Sequence, residues 1–240
     1  MLNYSFDWSV LWREPYGQLM LSGMLTTVHL SLLAWVIALV MGLLVGICGM
    51  LPNRITRLVS FVYVQLFRSI PLLLQLFIWY FAVPLLLPRS IQRWLYANVP
   101  SLPYLMGVAG LGLYTASRVA ELVRAGLQAC PRELVEAAYA NGLTTIYAYR
   151  YVIVPYAVRI IIPPLTSEFL TCFKNSALTM TIGVMETTGA SYQIDAYTYH
   201  GLETTTAASL VYVSITLCVV LVMSWVEKRF RIPGMIVRGS

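Results

Sequence analysis

From Pro15 to Asn53 the chain reads PYGQLMLSGMLTTVHLSLLAWVIALVMGLLVGICGMLPN, 39 residues without one Asp, Glu, Lys or Arg. Wholly helical at 1.5 Å per residue, this stretch would reach roughly 58 Å. The hydrocarbon core of a bilayer needs only about 20 residues. The reading is a first membrane helix over about Leu21 to Leu51 that projects beyond the bilayer, stopped by Pro52-Asn53-Arg54. Residues 1–20 form an irregular or surface-lying lead-in on the extracytoplasmic side.

Composition extends this reading to the whole chain. Of 240 residues, 59% are hydrophobic and 11% charged, where a soluble domain carries about 25% charged residues. A water-facing surface cannot be built from so few charges, and the solvent for most of the chain is lipid. The length suits one compact membrane domain of several helices. The formal charge of +6 does not point to nucleic acid, because the basic residues gather on no single face or run and sit between apolar segments. Cys48, Cys130, Cys172 and Cys218 form no C-x-x-C pair, so neither a metal site nor a disulfide framework follows. Asp7, Arg13 and Glu14 precede a first apolar run too long for a signal-peptide core.

Charges and prolines mark four further spans. The second runs from about Leu58 to Leu87, with Arg68 inside it and Pro71 removing a backbone donor and kinking it. A loop with Arg89 and Arg93 follows. The third runs from about Pro103 to Cys130. Its glycines Gly107, Gly110 and Gly112 suit close helix packing, and Arg118, Glu121 and Arg124 follow them. The fourth, about Tyr151 to Val184, is interrupted by Pro155, Pro163-Pro164 and Lys174-Asn175-Ser176, and also carries Glu168. Charges and helix breakers at membrane depth survive facing protein or a watery cavity. The acidic stretch 185–203 reads as a loop, and the fifth span covers Thr204 to Val226.

Five spans put the termini on opposite sides. Arg54, Arg57, Arg124, Arg132, Arg150, Lys228, Arg229, Arg231 and Arg238 fall on one side, and Arg13, Arg89 and Arg93 on the other. The basic side is cytoplasmic. It holds the polar segment 131–150 and the tail 231–240, while residues 21–230 make up the transmembrane domain.

The 131–150 segment carries the functional signal. Glu136-Ala137-Ala138 is followed by three residues, Gly142, nine residues and Val152-Ile153-Val154-Pro155. Pro131 suits a first helical turn and Asn141-Gly142 an end. The segment therefore reads as a short helix, a tight turn and a second helix beginning near Thr144. The two alanines offer a flat face for a partner, Glu136 can pair with basic groups, and Gly142 permits a left-handed turn. Such a rigid protrusion suits a link between a cytoplasmic motor and membrane helices.

The spacing resembles the EAA loop of ABC importer permeases, E-A-A, three residues, G, nine residues, I-x-L-P. Val152 and Val154 stand where Ile and Leu are usual. Three more runs resemble polar amino-acid permeases. They are Phe67-Arg68-Ser69-Ile70-Pro71-Leu72-Leu73, Gly112-Leu113-Tyr114 through Ala120-Glu121 to Gly126, and Pro163-Pro164-Leu165 through Phe169 to Lys174-Asn175-Ser176-Ala177. Within that group Thr115-Ala116-Ser117-Arg118 and the run from Tyr149 to Ala177 are most similar to permeases of glutamate/aspartate importers. The resemblance implies an all-α integral membrane fold of the type I ABC importer class, with about five transmembrane helices and a cytoplasmic coupling helix. It implies an importer of polar amino acids in a bacterial inner membrane, with acidic substrates expected. The implied partners are two ABC ATPase subunits, a second permease copy or paralogue, and an extracytoplasmic binding protein. Glu136, Ala137, Ala138 and Gly142 are the expected ATPase contact.

No G-x-x-x-x-G-K-(S/T) loop occurs, so ATP and Mg are expected in the partner chains, and this chain is read as a transport subunit rather than an enzyme. No catalytic or metal constellation stands out. His29 and His200 stand alone and read as structural. An ion-coupled secondary transporter would use Arg118, Glu121, Glu168 and Lys174 as coupling groups. That reading lacks an internal repeat and leaves the EAA spacing unexplained. A permease for another polar amino acid is the nearer alternative.

For the substrate, Arg118 is the lead candidate. It lies about fifteen residues into the third span, roughly 22 Å along a helix, where an unpaired charge costs about 2.5–3.5 kcal/mol on insertion scales. Its structural reading is a pair with Glu121, three residues on. Arg124 is equally near Glu121 in sequence, so one positive charge is left over. Arg118 is therefore expected to bind a carboxylate of an acidic amino acid, for which its planar fork is suited. Lys174, Asn175, Ser176 and Thr179 are expected in the same pocket, with helix-to-helix hydrogen bonding as their alternative role.

Overall fold

A computed structural model describes residues 4–230. The tail 231–240, with Arg231 and Arg238, lies outside the described residues. Every regular element among the described residues is helical. A single 3-10 turn, Trp8–Trp12, precedes α1, Tyr16–Cys48. Then come α2, Arg54–Ser69, and α3, Leu72–Leu85, bent 105° from α2. Helix α4 is Arg89–Asn98, α5 Leu102–Gln128 and α6 Arg132–Ala140. Helix α7 is Thr145–Ile182, α8 Thr187–Thr198 and α9 Gly201–Phe230.

Helix α5 is the centre of the bundle. It buries 14 of its 27 residues, where α1 buries 8 of 33. The buried side of α1 is a row of small residues, among them Gly23, Thr27, Ser31, Ala34, Ala38, Gly42 and Gly46. Small side chains let membrane helices approach closely, and van der Waals contact then holds them. A Cβ on Gly126 of α5 would sit 2.2 Å from Cγ2 of Ile161 on α7, and one on Gly42 of α1 would sit 2.6 Å from Cβ of Val119. Gly107, Gly110 and Gly112 likewise face Thr179, Trp79 and Ile37 within 3.2 Å of a would-be Cβ, as close packing requires. Leu30, Ala34, Leu72, Leu76, Val108 and Leu111 form the main core where α1, α3 and α5 meet.

Helices α1, α7 and α9 are long and apolar enough to cross a membrane, and α2–α3 makes a fourth if the bent pair is one span. Helix α5 is comparable in length, but Arg118, Glu121 and Arg124 lower its hydropathy, and each of them is paired with an opposite charge. Leu51, Leu127 and Thr145 line one cavity, so the ends of α1 and α5 and the start of α7 share one end of the bundle. At the other end Tyr4 Oη and the Asp7 amide donate to Glu203, and the α8 region lies against Gly23. Hydrogen bonds from Ser9, helped by the Arg13 charge, hold the Asp7 carboxyl below its ordinary range.

Four segments differ from the sequence reading. The break near Pro71 is a right-angled turn rather than a kink. Ile70 is extended, ψ 127°, because a following proline disfavours helical backbone. Gln75 Nε2 bridges the break with bonds to the carbonyls of Phe67 at 2.6 Å and Ile70 at 2.8 Å. Residues 89–98, expected as loop, form α4, which Pro88 introduces. Residues 187–198, also expected as loop, form α8, because the Glu186 carboxylate caps it by accepting from the Gly189 amide at 2.9 Å. Finally, Pro155, Pro163 and Pro164 do not break α7. A π turn, Tyr149–Ile153, precedes Pro155 and relieves its missing donor. The chain does change character after Asn175, where Ser176–Ile182 tightens to 3-10 and ends at Gly183 with φ 91°.

Candidate functional site

Two places in the molecule carry chemistry, a polar hairpin at one end and a set of ion pairs within the bundle.

The hairpin is α6, a turn and the first turns of α7. The Leu143 amide donates to the Ala138 carbonyl at 3.1 Å and the Gly142 amide to Tyr139 at 2.9 Å. Gly142 has φ 78°, the left-handed conformation that a Cβ resists. Thr144 is extended and α7 starts at Thr145. The helix, turn and helix read from the sequence are all present. The two alanines have different surroundings, however. Ala137 is exposed with Glu136, while Ala138 is 6% exposed and is the buried residue of α6, which packs on the start of α7. The flat face expected from both alanines is therefore divided, with Ala137 outward and Ala138 inward. In the 3.6-residue period adjacent residues point about 100° apart.

Within the bundle, Arg118 is not left over. Its Nε donates to Glu168 Oε2 at 2.6 Å and its Nη2 to Glu168 Oε1 at 2.8 Å. This is a fork-to-fork pair between α5 and α7, the strongest geometry for guanidinium and carboxylate. The alternative pairing of Arg118 with Glu121 is not made. Glu121 instead accepts from Arg124 at 3.1 and 2.9 Å and lies 3.5 Å from Arg68 on α2. The Glu168 side chain is 13% exposed and that of Arg118 40%. The guanidinium can thus be reached by a solute while its carboxylate partner is mostly shielded.

The other expected pocket residues are not gathered around Arg118. The Ser176 hydroxyl donates to the Phe173 carbonyl and that of Thr179 to Ser176, both at 2.7 Å and both buried. Their donors are spent on the local backbone. Thr179 lies against Gly107, eleven residues before Arg118 on α5, or about 16 Å along the axis. Lys174 is exposed. Asn175 is partly buried at the junction with the 3-10 turn. His29 pairs with Tyr104, and His200 lies 3.4 Å from Glu203.

Two residues make contacts that the sequence does not signal. Glu168 stands there as a charge within a span and a coupling group of the secondary-transporter alternative, and a pair between helices fifty positions apart has no spacing signal. Glu186 is fully buried and joins α1, α8 and α9 by accepting from Gly189, Thr27 and Tyr212. Among the described residues no group of three His, Cys, Asp or Glu could hold a metal ion.

Residues 15–232 match the family described as binding-protein-dependent transport system inner membrane component. The chain belongs to this family. The permease is 41% identical to the glutamate/aspartate import permease protein GltJ of Escherichia coli K12, covering 97% of this chain and 98% of that one. It is 29% identical to the glutamine transport system permease protein GlnP of the same strain, covering 95% and 99%. Among solved structures, an amino acid ABC transporter crystallised with histidines has a chain that is 31% identical. That chain superposes with a TM-score of 0.81 over 94% of the permease and 100% of its own length. The permease is an inner-membrane subunit of an amino-acid ABC importer, and its fold is that of the type I class.

Proposed function

We propose that this permease imports glutamate and aspartate, and that Arg118 receives a substrate carboxylate by exchanging it for Glu168. The observation that carries the reading is the full-length similarity to a glutamate/aspartate import permease. Arg118 adds the residue-level argument. In the resting pair its fork is filled by a carboxylate of the same chain. An acidic substrate offers the same group in the same geometry, and the Glu168 carboxylate it displaces is left to turn to the path or take up a proton. A neutral polar amino acid brings a single carboxylate and no second one to replace it. Lys174, Asn175, Ser176 and Thr179 remain proposed contributors, with Lys174 the one whose side chain is free to reach solute.

The basic residues gather at the hairpin end, so that end is cytoplasmic and the α8 end faces out. The hairpin is the ATPase contact, through Glu136, Ala137 and Gly142, with Ala138 setting its shape. Two copies, or one copy and a paralogue, enclose the path, and a binding protein delivers substrate to the α8 end.

Direct binding to the detergent-solubilised complex, without the binding protein, tests the site. Arg118→Ala is expected to lose about 2 kcal/mol or more, roughly thirtyfold in affinity for glutamate and aspartate. Arg118→Lys, which keeps the charge and loses the fork, should give a partial defect. If Arg118→Ala binds both amino acids as the parent does, Arg118 is structural.

A further inference from the structure

A polar cavity of about 280 Å³, lined by neither Arg118 nor Glu168, is bounded by Gly49, Arg57, Ser60, Gln65, Glu121 and Arg124. It sits between the end of α1, one face of α2 and the last turns of α5. Arg57, Phe61, Val64, Gln65 and Arg68 recur at helical spacing and share that face of α2.

Its charge is unbalanced. Arg124 and Arg68 both lean on Glu121, the second at only 3.5 Å. Arg57 makes no ion pair among the described residues, and its one hydrogen bond is to the Pro52 carbonyl at 3.5 Å. Two guanidinium groups thus share one carboxylate and Arg57 adds a third with no carboxylate partner, so the site has a net attraction for an anion. The basic character lies at the end of the bundle where Arg54, Arg132 and Arg150 also lie. Leu58, Val59, Val62 and Leu66, on the adjoining sides of α2, are each more than half exposed. An occupant therefore meets guanidinium donors at one end and an open apolar helix surface alongside. Those are the requirements of an amphiphile with an anionic head.

We propose that this cavity binds the phosphate group of an anionic phospholipid of the inner leaflet, with Arg57 as its main donor and the acyl chains running along α2. Guanidinium donors suit phosphate oxygens through paired hydrogen bonds, and basic pockets between membrane helices at the cytoplasmic side are suited to such head groups. A free amino acid fits less well. Its ammonium needs an acceptor, and the Glu121 carboxylate is already shared by two arginines. Free phosphate satisfies the donors but makes no use of the apolar flank. The proposal does not depend on which amino acid is carried.

Native mass spectrometry of the assembled, delipidated transporter tests it, by titration with phosphatidylglycerol and, separately, phosphatidylcholine. The parent should retain phosphatidylglycerol in preference. Arg57→Gln should weaken that retention roughly five- to tenfold, Arg57→Lys less, and Arg93→Gln, at the opposite end, not at all. Size-exclusion profiles matching the parent establish that the variants assemble. Equal retention by Arg57→Gln and the parent overturns the site. Displacement of the lipid by an equal concentration of inorganic phosphate, or of glutamate, overturns its assignment to lipid.

Discussion

Gly126 and Ile161 show how little room the packing leaves. The helix backbones of α5 and α7 approach closely because residue 126 has no side chain, and an added Cβ would meet Ile161 Cγ2 at 2.2 Å. Overpacking of this kind costs about 1–3 kcal/mol. Gly126→Ala should therefore lower the thermal unfolding midpoint of the purified protein in detergent. Ile161→Ala removes the colliding methyl, so the loss in the double variant should be smaller than the sum of the two single losses. Additive losses would show that the contact is not the cause. The same two helices are joined by Arg118 and Glu168. Glu168→Gln removes the charge but keeps the shape, leaving Arg118 without its carboxylate. If exchange is the mechanism, this variant should bind acidic amino acids more tightly than the parent, since the internal competitor is gone. Weaker binding would make Glu168 a part of the site rather than a placeholder. The sequence disclosed Arg118 as a charge needing an explanation, because depth alone makes an arginine expensive. It could not disclose the explanation, since Glu168 reaches it across helices.

The hairpin is the element where sequence and structure agree most fully. Pro131, Asn141-Gly142 and Thr144 are local signals, each acting on its own few residues, so they survive in the fold unchanged. By contrast the sequence over α4 and α8 suggests loops, because charges and polar residues mask short helices whose stability comes from caps and from packing on the bundle. The α8 cap is the Glu186 side chain, and a glutamate is an uncommon cap residue. Within the hairpin, Gly142→Val forces a β-branched residue to φ 78°, at a cost of about 1–3 kcal/mol. The variant should insert in the membrane yet lose substrate-stimulated ATP hydrolysis. Ala137→Leu and Ala138→Leu separate contact from shape. Ala137 faces outward, so its variant should keep the hairpin fold and fail to co-purify with the ATPase subunit. Ala138 faces inward, so its variant should make the hairpin susceptible to limited proteolysis even without a partner. Normal co-purification of both variants would remove the hairpin from the ATPase contact.

Over the whole molecule, the proposed orientation rests on a charge asymmetry and the architecture on a scarcity of charge. Composition sufficed to place the chain in lipid, and the apolar runs sufficed for α1 and α9. The central helix α5 is legible as the span Pro103 to Cys130, but the pairing that lets it carry Arg118, Glu121 and Arg124 is not, because Glu168 and Arg68 reach it from other helices. Single cysteines introduced at Thr145 and Thr198, in a variant lacking Cys48, Cys130, Cys172 and Cys218, should label from opposite faces of the membrane. Labelling of both from one face would contradict the five-span arrangement. The most direct test of the importer itself is uptake of radiolabelled aspartate and glutamate. It uses proteoliposomes that hold the permease with its ATPase subunits, ATP inside and binding protein outside. ATP-dependent accumulation of both acidic amino acids is expected, with glutamine and histidine failing to compete. Uptake of a neutral or basic amino acid in their place would contradict it.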